Sequence, residues 1–235
     1  DHIFSFEAQH LDQEENPFSR AIRDRNPFTR LIPFSSSVNK YDVTQERLVQ
    51  TAKLEAKLDY YYLLNDTSNI NLSLGVTDVG QDFDSSFFQI LDNGSLLNFN
   101  DPTFNNDVSF DFSDAYIALN YRLRTGIFTI DPGLTLHYYK TKNTQLGTSF
   151  ERNISDVRPN LRINLQFKKS ESLRLTYRKN TQFTDINNLA EGFVFNNYNS
   201  IFQGNRELEA AVVNNYNLNY RSINQFTFTL SLIHI

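Results

Sequence analysis

The sequence contains no cysteine, no methionine and no tryptophan, and only 8 glycines and 6 prolines among 235 residues. Without cysteine there is no disulfide framework and no thiolate chemistry. Long apolar runs are missing too. The longest unbroken one, Tyr60–Leu64, falls far short of the ~18 residues of a membrane-spanning helix. Cationic excess is absent: the formal net charge is −5 and the pI about 5.4, so nucleic acid is not an expected partner. No phosphate loop, dinucleotide fingerprint or metal-ligand spacing occurs, and no cofactor is expected. The chain begins at Asp1, which leads us to expect a processed form or a piece of a longer protein. The lack of a visible signal peptide then carries no information.

What the sequence does contain is alternation. Leu54, Ala56, Leu58, Tyr60 and Tyr62 alternate with Glu55, Lys57 and Asp59. After a polar Asn-Asp-Thr-Ser-Asn turn, Ile70, Leu72 and Leu74 alternate with Asn71 and Ser73. That pattern predicts two strands of a hairpin, each with one apolar and one wet face. Nine such segments recur: 3–9, 47–63, 70–76, 115–124, 127–139, 157–168, 173–179, 212–221 and 225–232. Tight turns are expected at 65–69, 125–126, 169–171 and 222–224. Long polar loops are expected over about 10–42, 77–112, 140–156 and 180–210. No amphipathic helix interrupts the series, which argues against a βαβ architecture.

Alternation also suits a soluble β-sandwich with its apolar face inward. Three features favour lipid instead. Segment 47–63 exceeds the ~5–6 residues usual for soluble strands and meets the ~9–11 that cross a bilayer at a tilt. Aromatics on the apolar face gather beside the tight turns: Tyr60, Tyr62, Tyr121, Phe128, Phe167, Tyr220 and Phe226, as an interfacial girdle would. Loop lengths alternate as short periplasmic turns and long extracellular loops do. In hydrocarbon, only a closed barrel satisfies every backbone N–H and C=O group. The expected fold is therefore all-β: an antiparallel up-and-down transmembrane β-barrel, partial, with about nine strands of a larger barrel. Residues 1–235 are expected to form one barrel region in the outer membrane of a Gram-negative bacterium, with outer-membrane lipid as its surroundings. Lys53, Glu55, Lys57, Asp59, Arg122, Arg162, Arg174 and Arg178 would line the wet lumen, with compensating charges on neighbouring strands.

Candidate sites are few. Segment 78–111 carries seven Asp and no Lys or Arg; its spacing fits no EF-hand, and a solvated acidic loop is expected. Two Asn-Pro-Phe turns put Phe18 and Phe28 beside Arg20 and Arg30. They could stack on a ligand or pack a loop onto the barrel rim. Segment 180–205, with seven Asn and several aromatics, is the expected ligand-facing loop, with Phe193, Phe195, Asn197 and Tyr198 as its contact residues. His137 has no serine-centred motif to serve, and no catalytic residue is expected.

The stretch TYRKNTQFTDINNL through YNSIFQGNRELEAAVVNNYNLNY, residues 176–220, resembles the barrel of TonB-dependent receptors, in particular the outer-membrane β-barrel family abundant in Bacteroidetes-type bacteria. The matching positions are Tyr177, Arg178, Leu189, Gly204, Asn205, Leu208, Asn215, Tyr216, Leu218 and Tyr220. Arg206 stands where that pattern has proline, and Ala210 and Ala211 where it has Pro-Glu. The resemblance implies a barrel of about 22 strands around an N-terminal plug domain, importing scarce nutrients with energy from the TonB complex. It also implies three partners: a plug domain and the TonB complex, both reached through the parent chain, and an unknown nutrient ligand.

Overall fold

The computed structural model describes residues 2–26, 28, 31–197, 200–222 and 227–234. Thirteen strands follow in chain order. They are β1 (His2–Glu15), β2 (Phe18–Arg23), β3 (Tyr41–Asn65), β4 (Ser68–Ile90), β5 (Leu96–Asn98), β6 (Asn105–Thr125), β7 (Phe128–Gln145), β8 (Thr148–Lys168), β9 (Glu171–Gln182), β10 (Phe193–Asn197), β11 (Ser200–Gln203), β12 (Ala211–Ser222) and β13 (Thr227–His234). Nine of them form an antiparallel meander in the order β1-β3-β4-β6-β7-β8-β9-β12-β13, with β2 on β3 and β5 on β4. A one-turn helix, α1 (Ile186–Leu189), and the β10–β11 hairpin lie between β9 and β12.

β1 and β2 are two parts of one line. Both keep the same register against β3, from His2 opposite Tyr62 to Arg23 opposite Tyr41. Pro17 interrupts them because it has no N–H to donate. Its carbonyl still accepts from the Arg47 N–H at 3.0 Å, so one of the two bonds of that residue pair survives.

Residues directly opposite one another share a face, so the register fixes both surfaces. On the outer face stand Leu54 to Tyr62 at even positions of β3, Ile70 to Val76 on β4, and Ala115 to Leu123 on β6. Phe128 to Tyr138 on β7 and Val157 to Phe167 on β8 continue the band. These side chains are exposed or half-buried, Leu119 at 52% and Leu230 at 54%, because lipid rather than protein is their counterpart. Tyr60, Tyr62, Tyr121, Phe128, Phe167 and Tyr220 mark the edge at the tight turns; Phe226 lies outside the described residues. A second edge ends the band on the other side. There Val76 gives way to Asp78, Tyr138 to Lys140, and Tyr177 to Lys179.

Beyond that second edge the structure corrects the expected loops. Segments 77–112 and 140–156 are largely strand, and 10–42 contains the end of β1, all of β2 and the start of β3. There the outer face meets water and the inner face packs under loops, so the outward apolar series stops although the backbone ladder continues. The expected loop at 140–156 is a two-residue turn. Leu146 and Gly147 take φ values of 52° and 72°, the double positive φ of a tight hairpin. The short-turn and long-loop asymmetry therefore holds except between β7 and β8.

The buried core sits on the polar face at the extracellular end. One cluster joins Ala21, Phe28, Ile32, Val43, Phe87, Phe99, Phe104 and Phe195. The other joins Phe83, Val108, Ile186, Ala190 and Val194. Both consist of strand residues covered by loops folded inward.

Candidate functional site: an inward-folded rim above an arginine-lined wall

The rim is built mainly from residues 183–210. Asp185 caps α1 by accepting from the Asn187 N–H at 2.8 Å, and Ile186 and Leu189 point into the core. The chain returns past the helix through Gly204 and Asn205. Their N–H groups donate to the Ala190 and Asn188 carbonyls at 2.7 and 2.8 Å. A Cβ at Gly204 would stand 2.3 Å from the Asn188 oxygen, so only glycine fits this crossing. Leu189, Gly204, Asn205 and Leu208 thus close the loop. Arg206 forks onto Glu191, at 2.7 and 2.5 Å, and donates to Thr148 Oγ1 in the β7–β8 hairpin. The hydrogen bonds to Glu191 raise the Arg206 pKa.

Four carboxamides, one on each of β3, β4, β6 and β7, hold the rim down. All four are buried. Gln45 donates to the Phe193 carbonyl at 3.0 Å and accepts from the Phe195 N–H at 2.8 Å. Asn106 donates to the same Phe193 carbonyl and accepts from the Gly192 N–H. Gln145 donates to the Leu189 carbonyl and accepts from the Glu191 N–H. Gln89 does the same for both backbone groups of Ser35, in the β2–β3 connection. A carboxamide supplies both a donor and an acceptor, so it satisfies loop backbone groups that water can no longer reach.

The expected contact residues divide. Phe28 and Phe195 meet edge to face at 5.6 Å, each 4% exposed, and Phe193 packs beside Phe104 at 5.6 Å. These rings form the core of the rim, so Phe28 and Phe195 offer no open face for stacking; of the two readings of the Asn-Pro-Phe turns, packing fits Phe28. Phe18 stands apart on the outer face opposite Glu46, 70% exposed. Asn197 is exposed at the end of β10, and Tyr198 lies outside the described residues. No periodicity or motif marks the four carboxamides, whose loop partners lie up to 150 positions away.

Below the rim a belt of ring and charged groups crosses the polar face. His137 Nδ1 is 3.0 Å from both Asp114 oxygens. Its ring lies between Tyr116 and Tyr139, at 5.2 and 5.1 Å. Asp156 on β8 accepts from Lys179 Nζ at 2.8 Å, from Arg158 Nε at 2.9 Å and from Thr181. Among the described residues no hydroxyl hydrogen-bonds to His137, and no group of three metal-capable side chains gathers. On β3 the lumenal charges compensate along the strand, not across neighbours: Lys53 pairs with Glu55 at 2.8 Å and Lys57 with Asp59 at 2.6 Å.

Lower still, the polar face opens into a groove of about 700 Å³ lined by Asn71, Asn120, Arg122, Asp131, Arg162 and Arg178, among others. Asn120 and Asn160 close over Gly133, where a Cβ would stand 2.1 Å from the Asn120 oxygen. Arg122 grips Asp131 with two bonds, at 2.7 and 3.3 Å. Such a surface can bind by hydrogen bonding and charge.

A model of the outer membrane protein beta-barrel family matches residues 1–235. No curated protein sequence matches the chain. Among solved structures, the unliganded ferric citrate transporter FecA superposes with a TM-score of 0.59 at 12% identity, covering 99% of this chain and 31% of that one. FpvA of P. aeruginosa, bound to heterologous pyoverdines, gives 0.58 at 12% identity, covering 99% and 30%. The ferric yersiniabactin uptake receptor FyuA of Yersinia pestis gives 0.52 at 12% identity, covering 99% and 33%. The chain therefore spans about a third of the length of these structures, and the likeness is one of fold.

Proposed function

Because the chain belongs to the outer membrane protein beta-barrel family, we propose that it forms part of the wall of a TonB-dependent receptor. Its place is the outer membrane of a Gram-negative bacterium. The receptor captures a nutrient at its extracellular mouth and imports it, with a plug domain and the TonB complex as partners through the full-length protein. The observation that carries this reading is the rim: two extracellular segments are clamped inward over the polar face, above a groove rich in arginine and asparagine. We take Asn197, exposed at the end of β10, as a rim contact for the ligand. The reading assigns the chain no bond-making chemistry.

The test is nutrient-dependent growth of a strain lacking the full-length protein. A growth defect on one nutrient class, restored by the gene and abolished by deletion of an energising TonB homologue, supports the receptor. Growth indistinguishable from the parent strain on every nutrient class, with ion conductance through the purified protein in bilayers, favours a passive pore and ends the proposal.

A further inference from the structure

We infer that the upper edge of β8 is a strand-addition site for an extended segment of a second polypeptide at the cell surface. The inference stands on the barrel fold and does not require import. β8 pairs with β7 from Leu165 opposite Phe128 up to Thr148 opposite Gln145. With β9 it pairs only as far as Asn160 opposite Arg178. Residues 148–159 therefore have no strand on that side among the described residues. Alternate residues of a strand turn both backbone groups to the same neighbour. The Gln166 N–H donates to Ile127 at the foot of β7, so even positions of β8 face β7 and odd positions face β9. The next bonded pair of the β8–β9 ladder would use Pro159, which has no N–H to give, and the ladder stops there.

Just above the break, side chains stand in for the ladder. Lys179 Nζ donates to the Val157 carbonyl at 3.0 Å, and Arg158 donates to the Thr181 carbonyl at 3.4 Å. Higher up, Ser149, Glu151, Asn153 and Ser155 are exposed odd positions, and their N–H and C=O groups point to the open side. They stand above the outward apolar series of β8, which ends at Val157. Among the described residues, only side chains link this stretch to residues 204–210. Arg206 reaches Thr148 Oγ1, and Arg152 lies 3.4 Å from Glu209, whose side chain is 81% exposed. No backbone bond joins the two segments. An open edge is a template for another strand, and proteins commonly blunt it with proline, lysine or a bulge. None of these lies between Thr148 and Ser155. Directly opposite residues share a face, so the flanking side chains define the occupant. On the inner face, apolar residues suit Phe150 and Ile154, and a carboxylate suits Arg152. On the outer face a cation suits Glu151, whose present partner Lys142 is 3.9 Å away on the other flank. In the antiparallel sense, the more stable one, the occupant reads apolar, polar, acidic, basic, apolar.

The experiment uses the full-length protein in detergent, with the dye-labelled peptide Thr-Val-Thr-Glu-Lys-Val-Thr as the probe and fluorescence anisotropy as the readout. Saturable binding is expected. N-methylation of the peptide at its lysine and central threonine removes edge-facing donors and leaves the side chains, and it should abolish binding. Asn153→Pro removes a donor from the open edge and spares the β7 ladder, so it should weaken binding about tenfold, the worth of one hydrogen bond. Arg152→Glu should weaken binding of this peptide and favour one with lysine in place of its glutamate. Retention of the heat-dependent gel shift of a folded barrel establishes that each variant is assembled; where N153P does not assemble, the charge exchange at Arg152 decides. In hydrogen exchange, the amides of Ser149, Glu151, Asn153 and Ser155 should exchange freely in the free protein and slow when the peptide binds. Absence of saturable binding overturns the inference, as does equal affinity for the N-methylated peptide. Protection of those amides in the free protein also overturns it, since the edge would then already be covered.

Discussion

Tyr116 lies across Gly75 on the adjacent strand. A Cβ built on Gly75 would fall 2.2 Å from two carbons of the Tyr116 ring. The ring cannot simply slide away, because its other neighbour is the His137 imidazole at 5.2 Å. A large ring over a glycine fills the gap left by the missing side chain and pins the register of two strands. Gly75→Ala should therefore destabilise the barrel by about 1–3 kcal/mol, the usual cost of overpacking. Adding Tyr116→Ala to it should remove most of that cost. Thermal unfolding of the four proteins of this cycle measures the coupling, and additive effects would show that the contact does not matter.

The carboxamides make a separate prediction. Gln45→Ala removes the group that holds both the Phe193 carbonyl and the Phe195 N–H. Leaving buried polar groups unpaired costs about 1–3 kcal/mol, and the cost should appear locally. Hydrogen exchange over residues 189–197 should accelerate while the strands below the rim keep their protection. Unchanged exchange in Gln45→Ala and in the double variant with Asn106→Ala would mean that aromatic packing alone retains the rim.

The β7–β8 turn should be improvable. Leu146 has φ 52° and is 63% exposed, so it bears the left-handed backbone without compensation from burial. Asparagine tolerates that conformation better than leucine. Leu146→Asn should stabilise the extracellular end by about 1 kcal/mol, read as a raised unfolding midpoint. A lowered midpoint would mean that leucine contributes something the exposure does not reveal.

Acid should favour the same end of the molecule. Asp84 faces Asp107 directly across β4 and β6 on the outer surface, with Asp82 two residues away. Partial burial, then Asp107, then Asp82 raise its pKa. A carboxyl with a raised folded-state pKa holds its proton more tightly when folded. Its contribution is complete below the unfolded value of about 3.9 and is lost as pH rises through the folded value. Local stability should therefore increase on acidification from neutrality towards that value, and Asp84→Asn should flatten the dependence. The measurement is hydrogen exchange of β4 and β6 against pH, corrected for intrinsic rates; a slope identical in wild type and variant would refute the prediction.

How far the sequence revealed the molecule depends on what each face touches. Where β3 runs from Leu54 to Tyr62, one face meets lipid and the other water, and nine strands could be counted from that contrast. Above it, Asp78, Asp82 and Asp84 occupy the outward positions of β4. They resembled a loop because an acidic outer face carries no hydrophobic signal, although the strand runs on to Ile90. The arginines of the wall were legible as lumenal, since alternation assigns a face. Their convergence in one groove was not, because it depends on the register between strands. Phe28 was legible as a ring that stacks on a ligand or packs a loop onto the rim, and Phe195 as a ligand contact; pairing them required knowing that a loop before β3 and a loop after β9 fold to the same place.

Pro17 bears on how the sheet can grow. Within one residue of a strand the N–H and C=O point the same way, and the Pro17 carbonyl points at β3, where Arg47 donates to it. The missing donor therefore lies on the side already paired. Along the opposite, open margin of β1 and β2 the ladder of donors and acceptors is uninterrupted by the proline. That margin can zip onto a further strand across Pro17 without a gap, which is what closing a cylinder demands.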